Sequence, residues 1–80
     1  IDFITDIHES NIALQFNYDR VEQFQLTIYD AQGNIQYNQS IEFSIGQNHH
    51  TIEFTKPSSG LYILHFHNES SAIAHKLILK

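Results

Sequence analysis

Leu26-Thr27-Ile28-Tyr29-Asp30-Ala31-Gln32-Gly33-Asn34-Ile35 decides the fold of this chain. Leu26 and Ile28 are apolar at alternate positions, with Thr27 and Tyr29 beside them. A strand points successive side chains to opposite faces, so the run builds one dry face and one wet face. Asp30 ends it, where an aspartate accepts backbone N–H bonds across the turn that follows, and Gly33 tolerates the left-handed geometry needed there. Ile35 opens a second strand. The stretch predicts a hairpin joining strands 24–30 and 35–39.

The same period of two runs outward in both directions. Ile12, Leu14 and Phe16 alternate with Ala13, Gln15 and Asn17; Ile41, Phe43 and Ile45 alternate with Glu42 and Ser44; Ile52 and Phe54 alternate with Thr51, Glu53 and Thr55. No window sustains the spacing of an amphipathic helix. Gly46-Gln47-Asn48 is read as the break between strands 41–45 and 51–55, and Lys56-Pro57-Ser58-Ser59-Gly60 as the strongest break. Asn68-Glu69-Ser70-Ser71 turns strands 61–67 and 72–79 into a terminal hairpin. With a short strand near 3–7, the pattern predicts an all-β antiparallel sandwich of about seven strands. Its one core would hold Ile12, Leu14, Phe16, Leu26, Ile28, Phe43, Ile52, Phe54, Leu64, Phe66 and Leu77. A small barrel satisfies the same alternation, which alone does not separate the two.

Eighty residues make one domain, 1–80, with no internal repeat, low-complexity tract or linker. Its net charge of −5 and four scattered cations, Arg20, Lys56, Lys76 and Lys80, argue against nucleic acid, which needs clustered positive charge. Anionic membrane surfaces are disfavoured for the same reason, and no apolar run approaches the ~20 residues of a spanning helix. No cysteine is present, so neither a disulfide nor a thiolate zinc site staples the fold. The chain opens on Ile1-Asp2-Phe3, with neither a signal peptide nor an initiator methionine, and is expected to be a piece cut from a longer protein.

Six histidines invite a metal hypothesis. His65 and His67 lie at i and i+2 on one strand face, His75 lies across the terminal hairpin, and His49-His50 form a separate pair. The register argues against a site built from the first three: with Leu64, Phe66, Leu77 and Leu79 inward, His65 and His67 face outward while His75 takes the inward side. The expectation is no metal site and no cofactor. Hydrolase chemistry fares worse, because Ser58-Ser59-Gly60 is no nucleophile elbow and the acids stand singly rather than as a convergent pair. No catalytic residue is assigned. The Asn38-Gln39-Ser40 and Asn68-Glu69-Ser70 sequons fall in predicted turns and count only in a eukaryotic secretory pathway.

Three motifs remain whose joint occurrence single-residue accounts leave open. Tyr29-Asp30-x-x-Gly33, Gly60-x-Tyr62 and the closing Lys76-Leu77-Ile78-Leu79-Lys80 follow in this order. Over residues 11–80 the chain resembles the type A C-terminal sorting domains of type IX secretion cargo. Those domains share the Asp-x-x-Gly turn, the Gly-x-Tyr start of the penultimate strand and the basic-aliphatic end. The chain departs from them in lacking a Pro-Asn-Pro segment before the first strand.

The resemblance implies an immunoglobulin-like sandwich at the C-terminus of a larger secreted protein. It implies passage from the periplasm of a Gram-negative bacterium through the outer-membrane translocon to the cell surface. The implied partners are that translocon, its outer-membrane shuttle proteins and a sortase-like cysteine peptidase that removes the domain. It implies no catalysis by the domain itself, with Lys76, Leu77, Ile78, Leu79 and Lys80 as the recognised segment. Two alternatives stand beside it. One is a carbohydrate-binding or adhesive sandwich stacking sugars on Tyr18, Tyr29 and Tyr37. The other is a sorting-type domain retained on a component of the secretion machinery.

Overall fold

The computed structural model describes residues 2–8, 11–53 and 59–79. These form seven strands: β1 (Ile4–Ile7), β2 (Asn11–Tyr18), β3 (Glu22–Asp30), β4 (Ile35–Phe43), β5 (Gly46–Glu53), β6 (Gly60–His67) and β7 (Ala72–Leu79). No helix occurs among the described residues. A three-stranded sheet has the order β1-β2-β5 and a four-stranded sheet the order β4-β3-β6-β7. Lettering the strands A to G gives A-B-E and D-C-F-G. That differs from the immunoglobulin constant layout only in the sheet that holds D. The switch has a local cause: the tight turn after Asp30 returns the chain beside β3, so β4 pairs there.

The three-stranded sheet belongs to one compact unit, residues 1–22 and 43–57. β2 is its centre, antiparallel to β1 through Ile7–Ile12 and Thr5–Leu14, and to β5 through Ile12–Ile52, Leu14–His50 and Phe16–Asn48. Ile12, Leu14, Phe16 and Ile52 are buried, and Phe43 packs its ring 4.5 Å from that of Phe16. The second unit, residues 23–42 and 58–80, holds the rest of the four-stranded sheet. Here Phe24, Leu26, Ile28, Tyr62, Leu64, Phe66, Leu77 and Leu79 are all buried. Removing apolar surface from water at ~25 cal/mol per Å² makes these rows the main stabilising term of each unit.

All-β class, strand number and terminal hairpin follow the sequence pattern, and so does the burial of every core residue named from it that is described; Phe54 lies outside the described residues. One segment differs. The run 41–45 is not a separate strand ahead of a Gly46-Gln47-Asn48 break. It is the end of β4, the bend falls at Ser44 and Ile45, and residues 46–48 already belong to β5. Ile45, read as inward, is 70% exposed. The cause is Asn48, whose side chain is satisfied by the backbone just upstream and pulls the bend there. β5 then pairs with β2 rather than with the strand before it.

Candidate functional site

The Asp30 turn is built by one carboxylate. Asp30 Oδ1 accepts the backbone N–H of Gln32 at 3.0 Å and of Asn34 at 2.9 Å, and Oδ2 accepts the side-chain amides of Asn34 and Gln36. These bonds, the Asn34 backbone N–H first, hold the carboxyl below the usual carboxylate range. The backbone closes the same turn, with Gly33 N–H donating to Asp30 O and Asp30 N–H to Asn34 O, each at 3.0 Å. Gly33 adopts φ +86°, and Gly60 adopts φ +143° where β6 begins. A Cβ at either would meet nothing within 4 Å, so the dihedral rather than crowding selects glycine.

Sheet register brings the three sequence motifs together. Asp30 on β3 stands opposite Tyr62 on β6, and Tyr62 stands opposite Leu77 on β7. Gly60 pairs with Leu79 two positions further along the same two strands. Residues separated by tens of positions in the chain therefore form one continuous rank at one end of the four-stranded sheet. Tyr62, Leu77 and Leu79 are 2%, 4% and 2% exposed, while Lys76 and Ile78 on either side of Leu77 point outward, Ile78 at 64%. Among the described residues, β7 has a strand neighbour on one side only. Lys80, the last of the candidate recognition residues, lies outside the described residues.

The outer face of this sheet carries the other titratable side chains of β6. His65 and His67 point outward as the register requires, and His75 stands opposite Leu64 on the inward side. No group of three or more metal-ligating side chains occurs among the described residues. The three tyrosines proposed as a sugar platform serve separate neighbourhoods. The Tyr18 ring stands edge-on to Phe43 at 5.0 Å and its hydroxyl donates to Glu22, which raises the Tyr18 pKa. Tyr29 tilts against His65, and Tyr37 donates to Gln39. Ser59 lies in a bend and Ser58 outside the described residues, so nothing of the serine pair forms a described site.

Two structural residues escaped the sequence reading. Asn48, 4% exposed, accepts Ser44 N–H and donates to the Ser44 and Gly46 carbonyls. Asn68 accepts the backbone N–H groups of Ser70 and Ser71 in the β6–β7 turn and reaches the Gln23 carbonyl at 2.9 Å. The Gly-x-Asn and Asn-x-Ser contexts signalled turns, but not which side chain would hold them.

No helix among the described residues is long and apolar enough to cross a membrane, which leaves strand-built membrane proteins untouched. Comparison with curated proteins returns no significant match. Residues 8–80 match the family described as the secretion system C-terminal sorting domain, a span that contains the Asp30 turn, the Gly60 start and the terminal strand. With those motifs aligned in one rank of one sheet, the chain belongs to the C-terminal sorting domain family of the type IX secretion system.

Proposed function

We propose that this domain carries its parent protein through the type IX outer-membrane translocon for surface attachment or release, and that the segment Lys76 to Lys80 is what the machinery reads. Membership of the family makes the chain a type IX sorting signal, of a class that is not enzymatic, and implies a secreted parent routed to the outer membrane or cell surface. The finer steps are our reading. Residues 1–80 act as one non-catalytic module at the C-terminal end of a larger protein. Its partners are the translocon, outer-membrane shuttle proteins and a sortase-like cysteine peptidase that removes it after transit from the periplasm.

The observation that carries this is the edge position of β7. An edge strand leaves backbone donors and acceptors facing outward along one side, which a partner strand can pair. Leu77 and Leu79 fix the strand to the domain by burial, leaving Lys76 and Ile78 exposed for contact. Asp30, Gly33, Gly60 and Tyr62 set the angle and depth of the neighbouring strands and so hold the edge in place.

Deleting residues 76–80 would confound recognition with folding, because two core leucines go with it. The cleaner experiment fuses the domain to an inert reporter and adds a bulky extension after Lys80. A melt establishes that the domain stays folded. Export in a type IX-competent strain is expected to fail, with the reporter held in the periplasm. A folded, extended fusion that reaches the surface as efficiently as its parent would show that the terminus is not what is read.

A further inference from the structure

His65 and His67 lie on β6, a strand paired on both sides, so their backbones are fixed before any ligand arrives. Their rings already stack, with centroids 5.0 Å apart and planes 22° from parallel. Across the sheet, His65 stands between Thr27 and Ala74, and His67 between Gln25 and Ala72. The two alanines rise no further than Cβ and leave the β7 flank of the ring pair open. On the other flank, the Gln25 amide is engaged with Asn38 and Ser40 rather than with the imidazoles.

We propose that His65 and His67 form a two-imidazole chelate for one divalent transition-metal ion, copper(II) in preference to nickel(II) or zinc(II). Imidazole nitrogen suits this class of ion, and copper(II) stands highest in the general affinity order. Two metal–nitrogen bonds of ~2.0–2.1 Å need the nitrogens within about 4 Å of each other and their lone pairs converging on one point. The 5.0 Å ring spacing puts both imidazoles within reach, and each must turn out of the stack about its Cβ–Cγ bond to aim a nitrogen at the ion. No third histidine, cysteine or acid joins the pair in a metal-binding group among the described residues, so water completes the coordination sphere. That makes the site an open, exchangeable one rather than a closed structural centre. The ion is a ligand of the folded domain and takes no part in a reaction.

The other histidines provide internal controls. His75 is on the opposite face of the sheet from the pair. His49 and His50 are consecutive on β5, so they project to opposite faces and share no chelating side.

The test is a calorimetric titration of the 80-residue chain with copper(II) chloride in a non-coordinating buffer. The expected result is one ion per chain, with electron paramagnetic resonance showing nitrogen coupling from two imidazoles. Amide signals should broaden first around residues 65 and 67. His65→Asn and His67→Asn should each lower affinity by about tenfold or more, while His49→Asn and His75→Asn leave it unchanged. Unchanged affinity in folded His65→Asn and His67→Asn variants would overturn the proposal, as would broadening centred on His49, His50 or His75. Should either substitution unfold the chain, the resonance and broadening patterns of the unsubstituted protein decide the matter.

Discussion

The turn after β3 and the bend between β4 and β5 are each closed by a single side chain, and they use opposite chemistry. At the start of the β3–β4 hairpin, Asp30 is a charged acceptor that gathers two backbone N–H groups and two side-chain amides at the sheet's end. At the bend that leads into β5, Asn48 is neutral and buried, opposite Phe16 in the β2–β5 register, and works as acceptor and donor together. A carboxylate only accepts, so Asp30 suits a turn whose free groups are donors. The bend at Ser44 leaves both an N–H and carbonyls to satisfy, which takes an amide. Burial sharpens the contrast. A charge at Asn48's position would lose its hydration, whereas an amide with its partners met sits there at little cost.

The largest effect should come from the rows that support the two turns. Leu64 is flanked by Ile28 and His75, and Leu14 by Thr5 and His50. Both side chains are at most 1% exposed. Leu64→Ala and Leu14→Ala should each cost ~2–5 kcal/mol, read from urea denaturation, because each removes buried methyl groups and leaves a cavity. A clearly smaller loss for Leu14→Ala would mean that the three-stranded sheet collapses around the gap. The two dry faces would then not be equivalent supports.

Next in size is the buried cap. Asn48→Ala leaves the Ser44 N–H and the two carbonyls to find other partners, and should cost about 1–3 kcal/mol. Because the amide does not titrate in the accessible range, the loss should be the same at acid and neutral pH. A loss under half a kcal/mol would mean that water replaces the amide, and the bend would then need another explanation.

These two turns also mark where the sequence was legible. Asp30 and Gly33 announced their turn because an acid at a strand end and a glycine three residues later have few other uses, and the hairpin they close is local. Period-two alternation named the buried rows, since parity alone sets the face of a strand. The bend before β5 was misplaced by about two residues because Gly46-Gln47-Asn48 reads as a turn in itself. Ile45 extends the alternation past the true strand end, and nothing local tells that Asn48 would be an inward residue whose partners lie behind it. The partnership of β5 with β2, and the rank that joins Asp30, Tyr62 and Leu77, are long-range pairings. Composition and spacing carried the strands but not their neighbours. Thr27 makes the same point: its parity assigns it to the wet face, yet it is 3% exposed, covered on a sheet face crowded with longer side chains.

The smallest effect should be the most specific, and it belongs to the exposed cap. Asp30's carboxyl sits below the usual carboxylate range in the folded domain because four hydrogen bonds favour its charged form, the Asn34 backbone bond most. A group whose folded pKa is depressed adds stability that is fully present above its unfolded value. That stability drains away as pH falls through the folded value. For Asp30 the window therefore opens below about pH 4, where the unfolded carboxyl begins to bind its proton first. Asp30→Asn keeps one oxygen acceptor but removes the charge. At neutral pH it should lower the melting temperature slightly, and in acid the difference from the parent should shrink toward zero. Other acids titrate in the same range, Asp19 beside Arg20 among them, so the informative quantity is the difference between the two melting curves across pH rather than either curve alone. A difference that stays constant from neutral pH to below 3 would show that the charge on Asp30 does not hold the turn. The contrast with Asn48 would then reduce to burial.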